Sequence, residues 1–122
     1  FPSRKVPGDL DIALDDDASD DDYLEALEAG LAQALTAGIF DLAVYLAGAD
    51  PYHDDRFGRL ALSMDGLARR DRLVLERCRR FALPTVITMS GGYARQIADT
   101  VAIHFQTVAI AAALFPSSPP PQ

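Results

Sequence analysis

Two short apolar segments of this chain each run directly into a glycine-bearing turn that carries a polar side chain. Residues 42–47 lead into Asp50, and residues 85–89 lead into Tyr93. Neither segment alternates apolar with polar residues, which is typical of strands that are buried on both faces of a parallel sheet. The pattern therefore predicts two neighbouring strands of an α/β fold.

The segment between these strands has the signature of a helix. Residues 64–81 follow Ser63, a good N-cap residue, and the core-facing side chains fall three or four positions apart. These side chains are Leu67, Val74, Leu75 and Cys78, and arginines occupy much of the remaining surface. A strand, a crossover helix and a second strand form a right-handed unit with parallel strands. Asp50 and Tyr93 are therefore expected to face one crevice at the carboxyl ends of the strands, where ligands bind in open α/β sheets.

The N-terminal part of the chain predicts a short strand followed by a helix. Leu10, Ile12 and Leu14 alternate with polar residues, which indicates a strand at a sheet edge. Ser19 and Asp22 have the spacing of a capping box, and a helix from about 20 to 36 follows. Its apolar stripe consists of Leu24, Leu27, Leu31 and Leu35. The acidic residues around this cap could alternatively form a calcium-binding loop, but an aspartate stands where such a loop needs glycine.

The C-terminal part of the chain predicts a third helix, from about 95 to 114. Its core stripe is expected to contain Ile97, Val101, Phe105, Val108 and Ala112. Because this segment is periodic and interrupted by polar residues, we expect a packed helix rather than a membrane span. The proline-rich residues 115–122 are expected to be disordered, since they have little apolar surface to bury.

Charge and cysteine content restrict the partners and the compartment. The chain of 122 residues has a net charge of -7, which argues against a nucleic-acid partner because phosphate binding needs clustered basic residues. The lone cysteine, Cys78, excludes an internal disulfide, and a buried thiol is expected in a reducing compartment such as the cytoplasm.

The chain opens with Phe1 rather than methionine, which indicates a piece of a longer or processed protein.

Asp50 admits two interpretations from the sequence alone. Its carboxylate could cap backbone N–H groups of its own loop. It could also act as a metal ligand or a general base, and His53, Asp54 and Asp55 could surround a divalent cation, with His53 and Asp55 as possible accessory groups of the site.

The segment Ser90-Gly91-Gly92-Tyr93 carries more information. Two glycines let the backbone approach a bound molecule closely, and the phenol could donate a hydrogen bond to a developing oxyanion. A tight turn with a packing tyrosine is the alternative. A phosphate cradle is a third interpretation, although no nucleotide-binding glycine motif accompanies it.

Several short motifs, taken in order along the chain, resemble part of the histone deacetylase superfamily. They are Ala47-Gly-Ala-Asp-Pro51, Asp55-Arg-Phe-Gly-Arg-Leu60, Leu62-Ser63, Gly66-Leu67, Arg70-Asp71 and Ser90-Gly-Gly-Tyr93. Bacterial class IV-like deacetylases and acetylpolyamine amidohydrolases are the most similar members. The resemblance implies a partial arginase/deacetylase-like three-layer αβα fold, with parallel strands and about three helices. Residues 1–114 would form the C-terminal segment of that domain, and residues 115–122 a Pro/Ser tail.

The resemblance also implies roles for individual residues. Asp50 matches the last of three zinc ligands, and Tyr93 matches the tyrosine that polarises the substrate carbonyl. Gly91 and Gly92 match the loop that lines the acyl channel. Zinc-dependent hydrolysis of an acetyl-lysine or acetylpolyamine-type amide is the implied reaction. The family's adjacent His-His pair and its Asp-x-His pair do not occur in this chain, so the zinc site is expected to be incomplete.

Two functions of different classes follow from these observations. The first is the C-terminal part of a zinc-dependent deacetylase, inactive as an isolated chain and completed by a missing N-terminal segment of the same protein. The second is a non-catalytic small α/β module that binds a ligand or partner at the same crevice. The coding sequence upstream of Phe1 discriminates between them, since His-His and Asp-x-His motifs there would support the enzyme. A start codon immediately before Phe1 would support the module.

Overall fold

The computed structural model describes residues 6–116 of the chain. The elements are α1 (Asp20–Thr36), β1 (Ala43–Leu46), α2 (Met64–Arg80), β2 (Thr85–Thr88) and α3 (Ile97–Leu114). Three helices and a parallel pair of strands confirm the predicted α/β class. Residues 117–122 of the predicted tail lie outside the described residues, so the disorder expected there stays a prediction.

β1 and β2 form the predicted parallel pair. The register runs from Ala43 opposite Thr85 to Leu46 opposite Thr88, with α2 as the crossover between the strands. Because parallel strands end at the same sheet edge, the loops that carry Asp50 and Tyr93 emerge side by side.

α2 is the central helix, and its sequence explains both of its ends. The Ser63 hydroxyl accepts a hydrogen bond from the Gly66 N–H at 2.9 Å, which satisfies one of the free donors of the first turn. Three arginines in the last turn complement the negative end of the helix dipole. All four predicted core residues of this helix are buried, including the Cys78 thiol.

α1 begins at the predicted capping box and packs against α2. The Ser19 hydroxyl accepts from the Asp22 N–H, and the Asp22 carboxylate accepts from the Ser19 N–H at 3.0 Å. Of the predicted apolar stripe, Leu24 is buried, and the other three leucines are half-buried. The stripe therefore faces α2 in part, as the spacing predicted.

Two apolar clusters hold the described residues together. One lies beneath the loops that follow the strands and contains Ala49, Tyr52, Leu62, Leu67, Ala94 and Ile103. The other lies beneath the sheet, where Tyr45 and Ile87 pack against buried residues of α2 and α3. Because the first cluster draws residues from both loops, it fixes the two loops relative to each other.

The prediction that both strands are buried on two faces is wrong for the described residues. Val44 and Leu46 are 56% and 64% exposed, and Val86 is also exposed, whereas Tyr45 and Ile87 face the helices. α2 and α3 contribute side chains to one face of the sheet only. A continuous apolar segment shows that a strand tolerates burial, but it does not specify what covers each face.

The predicted edge strand at residues 10–14 is also wrong. This segment has no strand structure, and the side chains of Leu10 and Ile12 lie against Gly30 on α1. Alternation over five residues identifies one apolar side of an extended segment, and that side packs on a helix here. The sheet in residues 6–116 contains only β1 and β2, and this segment pairs with neither of them.

The core stripe predicted for α3 is wrong, because a different face of the helix is buried. Ile97 and Phe105 are 80% and 72% exposed, while Ile103, Thr107 and Ile110 are buried. α3 is apolar around most of its circumference, so more than one stripe satisfies the helical period. Contacts with α2 and the sheet select the face that is buried.

α3 is also the one helix in residues 6–116 that is long and apolar enough to cross a membrane by length and composition. A single helix of this kind is weak support for a span. One face of α3 packs against α2. The expectation that this chain binds no membrane stays a prediction.

Candidate functional site

The loops that follow β1 and β2 are joined by backbone hydrogen bonds. The Ala47 N–H donates to the Thr88 carbonyl at 2.8 Å, and the Ala49 N–H donates to the Gly91 carbonyl at 2.8 Å. The strand pairing thus continues past the sheet edge. It holds the backbone next to Asp50 against the loop that leads to Tyr93.

The Asp50 carboxylate lies between two glycines. A Cβ atom at Gly91 would overlap this carboxylate, and a Cβ atom at Gly48 would lie 2.6 Å from its Oδ2 atom. Asp50 is half-buried, and no hydrogen bond or ion pair within residues 6–116 engages its carboxylate. The structure therefore leaves this group available to a ligand rather than using it to cap its own loop.

The loop between β2 and Tyr93 has an unusual backbone. Ser90 has a φ of 53°, and Gly92 has a φ of 150°, a value that side-chain-bearing residues rarely adopt. A Cβ atom at Gly92 would also lie 2.8 Å from the Cβ atom of Ala49. Glycine is therefore required here both for the backbone conformation and for the close approach of the two loops.

The Tyr93 side chain projects from this loop toward solvent. It is 58% exposed, and its ring forms a T-shaped contact with Phe57, with the two ring centroids 5.3 Å apart. No hydrogen bond within residues 6–116 engages its hydroxyl. The phenol can therefore donate to a ligand without giving up an existing partner.

The backbone of Tyr93 is held by the segment around Asp55. The Arg56 N–H donates to the Tyr93 carbonyl, and the Arg95 N–H donates to the Asp54 carbonyl, both at 3.1 Å. These bonds flank an antiparallel bridge, which pairs the turn after Asp50 with the start of the segment that leads into α3.

Asp55 and His53, the predicted accessory residues, have other partners in the structure. The Asp55 carboxylate binds backbone N–H groups, including that of Tyr93. His53 is exposed, packs its ring against Tyr52, and places Nδ1 3.4 Å from the Leu62 carbonyl oxygen. No cluster of three or more metal-binding side chains occurs anywhere in residues 6–116. The structure thus does not gather Asp50, His53 and Asp55 around a cation.

Zinc fits the chemistry of Asp50 but not the ligand count of the described residues. A carboxylate oxygen is a suitable zinc ligand, whereas a catalytic zinc site needs three protein ligands and an open position. Within residues 6–116, Asp50 would offer one such ligand, and no cluster of metal-binding side chains supplies two more. The described residues by themselves therefore do not form a catalytic zinc site.

A buried polar network that was not predicted from the sequence supports the Asp50 loop from below. Arg70 donates from Nη1 to the Gly48 carbonyl at 2.6 Å and from Nε to the Asp71 carboxylate at 2.9 Å. Asp71 is fully buried and also accepts from the hydroxyls of Tyr45 and Thr107, at 2.5 and 2.6 Å. Its place on the apolar face of α2, four residues before Leu75, is the sequence signal that could have revealed this network.

Comparisons with known proteins agree with this architecture. Residues 5–109 match the histone deacetylase domain family. The chain is 42% identical over 104 residues to an uncharacterized protein of Picosynechococcus sp., covering 85% of this chain and 35% of that protein. It is 38% identical over 85 residues to Histone deacetylase 2 of Arabidopsis thaliana, covering 66% of this chain and 22% of that protein.

A solved structure extends the similarity to the fold. The crystal structure of acetylpolyamine aminohydrolase from Burkholderia pseudomallei matches 81% of this chain and 27% of its own chain, with a TM-score of 0.64 and 29% identity. This match confirms the predicted partial arginase/deacetylase-like α/β fold. This chain spans about a third or less of the length of these relatives. The match to the family model covers most of the sequence, and the chain belongs to the histone deacetylase domain family.

Proposed function

We propose that this chain is part of a zinc-dependent deacetylase that hydrolyses the amide of acetyl-lysine or acetylpolyamine-type substrates. Family membership and the similarity to an acetylpolyamine aminohydrolase support this class of reaction. The observation that carries the proposal is the Asp50 carboxylate, which has no partner in residues 6–116. It lies against Gly91 of the loop that presents Tyr93.

In this proposal, Tyr93 stabilises the charge that develops on the substrate oxygen. Its hydroxyl donates a hydrogen bond to the oxyanion formed when the amide carbonyl is attacked. The exposed position of the side chain leaves this donor accessible. Gly91 and Gly92 line the acyl channel, because the absence of side chains lets the acetyl group approach the backbone.

Asp50 would contribute one zinc ligand in the same proposal. Zinc, when bound, supplies Lewis-acid polarisation of the amide carbonyl and activation of water. The remaining ligands and the general base would come from outside residues 6–116, from an N-terminal segment of the same protein. We therefore expect the isolated chain to be inactive.

The remaining expectations on partners and compartment belong to the same proposal. We propose a cytoplasmic protein, because the free thiol of Cys78 is buried and suits a reducing compartment. The net charge of -7 supports a protein that does not bind nucleic acid.

The test is Tyr93→Phe in the protein as its gene encodes it, including any sequence beyond Phe1 and Gln122. The substitution removes one hydrogen-bond donor and leaves the ring and the Gly91-Gly92 turn in place. We expect kcat for acetate release from an acetylated polyamine or an acetyl-lysine peptide to fall about 100-fold to 1000-fold. Bound zinc should stay at the level of the unsubstituted protein.

Asp50→Asn is the companion variant, and it should behave differently. Because it weakens the metal site itself, we expect zinc content and turnover to fall together. Near-normal turnover of Tyr93→Phe, with chemistry rate-limiting, would remove Tyr93 from the mechanism. A full-length protein that binds an acetylated amine without hydrolysing it would favour the non-catalytic binding module instead.

A further inference from the structure

The Asp55 carboxylate is buried and accepts three backbone hydrogen bonds. Asp55 is 8% exposed, and its Oδ1 atom accepts from the N–H groups of Phe57 and Gly58, each at 2.8 Å. Its Oδ2 atom accepts from the Tyr93 N–H at 2.5 Å. One side chain thus joins the turn after Asp50 to the backbone of Tyr93.

Only a carboxylate can satisfy these three donors. A carboxylate accepts at both oxygens, whereas an asparagine amide has one oxygen and an NH2 group that cannot accept. In one orientation of the amide, its NH2 group would face the Tyr93 N–H. In the other orientation, it would face the N–H groups of Phe57 and Gly58. Either orientation leaves buried donors without a partner, which is costly.

The position of the Tyr93 hydroxyl depends on these backbone contacts. The side chain is more than half exposed, and its aromatic partner among the described side chains is Phe57, in a T-shaped contact. Both sides of its backbone are held by residues 54–56 through the antiparallel bridge and the Asp55 carboxylate. The hydroxyl is therefore aimed by the backbone rather than by packing around the ring.

We infer that Asp55 is a positioning residue that fixes the backbone of Tyr93 and so aims its hydroxyl at the reacting carbonyl. This inference rests on the proposed function for the role of the hydroxyl. It assigns to Asp55 a role in orienting a hydrogen-bond donor rather than in binding a cation.

The test is Asp55→Asn in the protein as its gene encodes it, with Asp54→Asn as the matched control. Because small misplacements of catalytic groups cost up to about 100-fold, we expect kcat to fall about 10-fold to 100-fold. KM and bound zinc should stay within about twofold. The Asp54 side chain pairs with Arg95 at the surface, and Asp54→Asn keeps the backbone carbonyl that accepts from the Arg95 N–H. This substitution should therefore leave turnover unchanged.

A double-mutant cycle separates positioning from general damage. In the Tyr93→Phe background, Asp55→Asn should lower kcat by less than about twofold, since the hydroxyl that it positions is already absent. Multiplicative losses in the double variant would show that Asp55 acts independently of that hydroxyl and would overturn the inference. If Asp55→Asn does not fold, Asp55→Glu retains the charge and displaces the loop. It should lower kcat with zinc retained.

Amide hydrogen exchange provides a readout that does not depend on activity. Exchange at the Tyr93 N–H should accelerate at least 10-fold in Asp55→Asn, while amides of α2 remain protected. Unchanged exchange at Tyr93 would overturn the inference even if kcat fell. If the unsubstituted protein hydrolyses no acetylated amine, the proposed function fails, and exchange alone then decides whether Asp55 holds the Tyr93 backbone.

Discussion

Asp71 places a negative charge in the core of the protein, and three neighbouring side chains make this possible. Tyr45, Arg70 and Thr107 all donate to its carboxylate, so the buried charge is both paired and hydrogen-bonded. Burying a carboxylate without such partners would cost several kcal/mol. The network joins β1, α2 and α3, and through Arg70 it reaches the Gly48 carbonyl beside the candidate site.

Tyr45→Phe tests this network at the level of a single hydroxyl. The variant loses a hydrogen bond to a charged acceptor, and we expect the free energy of unfolding to fall by about 1.5–3 kcal/mol. Tyr93→Phe is the control, because the Tyr93 hydroxyl has no partner in residues 6–116 and its loss should cost less than about 0.5 kcal/mol. Urea denaturation at neutral pH measures both. Equal effects of the two substitutions would contradict the assigned network.

The burial of Tyr45 leads us to expect a loss of stability at alkaline pH. Burial raises the pKa of Tyr45 above its ordinary value of 10.0, and the Asp71 carboxylate raises it further against the opposing effect of Arg70. The stability from this shift is fully present below pH 10. It is lost as the pH rises from there toward the folded-state pKa, because only the unfolded state then releases the proton.

The slope of this loss should reach about 1.4 kcal/mol per pH unit for one tyrosine. Unfolding of the unsubstituted chain and of Tyr45→Phe, followed between pH 9 and 11, measures the contribution. We expect the free energy of unfolding of Tyr45→Phe to depend less steeply on pH than that of the unsubstituted chain. Identical slopes would show that ionisation of Tyr45 does not cause the loss of stability.

At the scale of elements, Ser63 connects the beginnings of two helices. Its hydroxyl accepts from the Gly66 N–H of α2 and donates to the Asp20 carboxylate at the start of α1, at 2.6 Å. The Ser63 N–H donates to the same carboxylate at 2.8 Å. The N-cap of α2 thus also fixes the position of α1, a role that its own sequence context does not reveal.

Ser63→Ala should therefore destabilise the protein more than substitution of an ordinary cap. We expect a loss of about 1–2 kcal/mol, because the cap bond and one bond to Asp20 disappear together. Ser19→Ala is the matched control, since the Ser19 hydroxyl also accepts a cap bond and donates to a carboxylate, that of Asp22 in the same exposed turn. Because these bonds are exposed and join no second helix, Ser19→Ala should cost about 0.5–1 kcal/mol. Chemical denaturation of both variants provides the comparison. A cost for Ser19→Ala equal to or above that for Ser63→Ala would contradict the linking role.

Exposed apolar surface is the dominant feature of residues 6–116 taken together. The outer face of the sheet exposes Val44 and Leu46, and α3 exposes Ile97, Val101 and Phe105. Within residues 6–116, β1 and β2 pair only with each other and present an apolar outer face, and such surfaces are prone to association with further copies. We therefore expect the isolated chain to self-associate or aggregate.

Sedimentation over a range of concentrations measures this behaviour. The average mass should rise with concentration, and Leu46→Lys on the exposed sheet face should reduce the rise. Gln33→Lys, which adds the same charge at an exposed position of α1, is the control and should reduce it less. A monomer at high concentration with cooperative melting would count against this prediction and favour a free-standing module.

Local patterns in the sequence were enough to predict the order, type and approximate limits of the three helices and two strands, although they also predicted a strand at residues 10–14 that the structure does not contain. Caps such as Ser63, the helical period of α2 and the handedness of the crossover are local or general constraints, so they can be recognised without the fold. The same constraints placed Asp50 and Tyr93 on adjacent loops. The motifs around these two residues also identified the family, because their order along the chain is itself sequence information.

The folded structure was needed to show which surfaces are buried and which groups each carboxylate contacts. The buried face of α3, the covered face of the sheet and the packing of Leu10 on α1 depend on partners that are distant in sequence. Likewise, Asp50 and Asp55 are both aspartates of one acidic loop, and the local sequence does not show which groups their carboxylates contact. Asp55 meets the N–H of Tyr93, 38 residues away, while Asp50 meets glycines and stays available. Burial and hydrogen bonding depend on which residues contact each other. Contacts between residues that are distant in sequence form only when the chain folds.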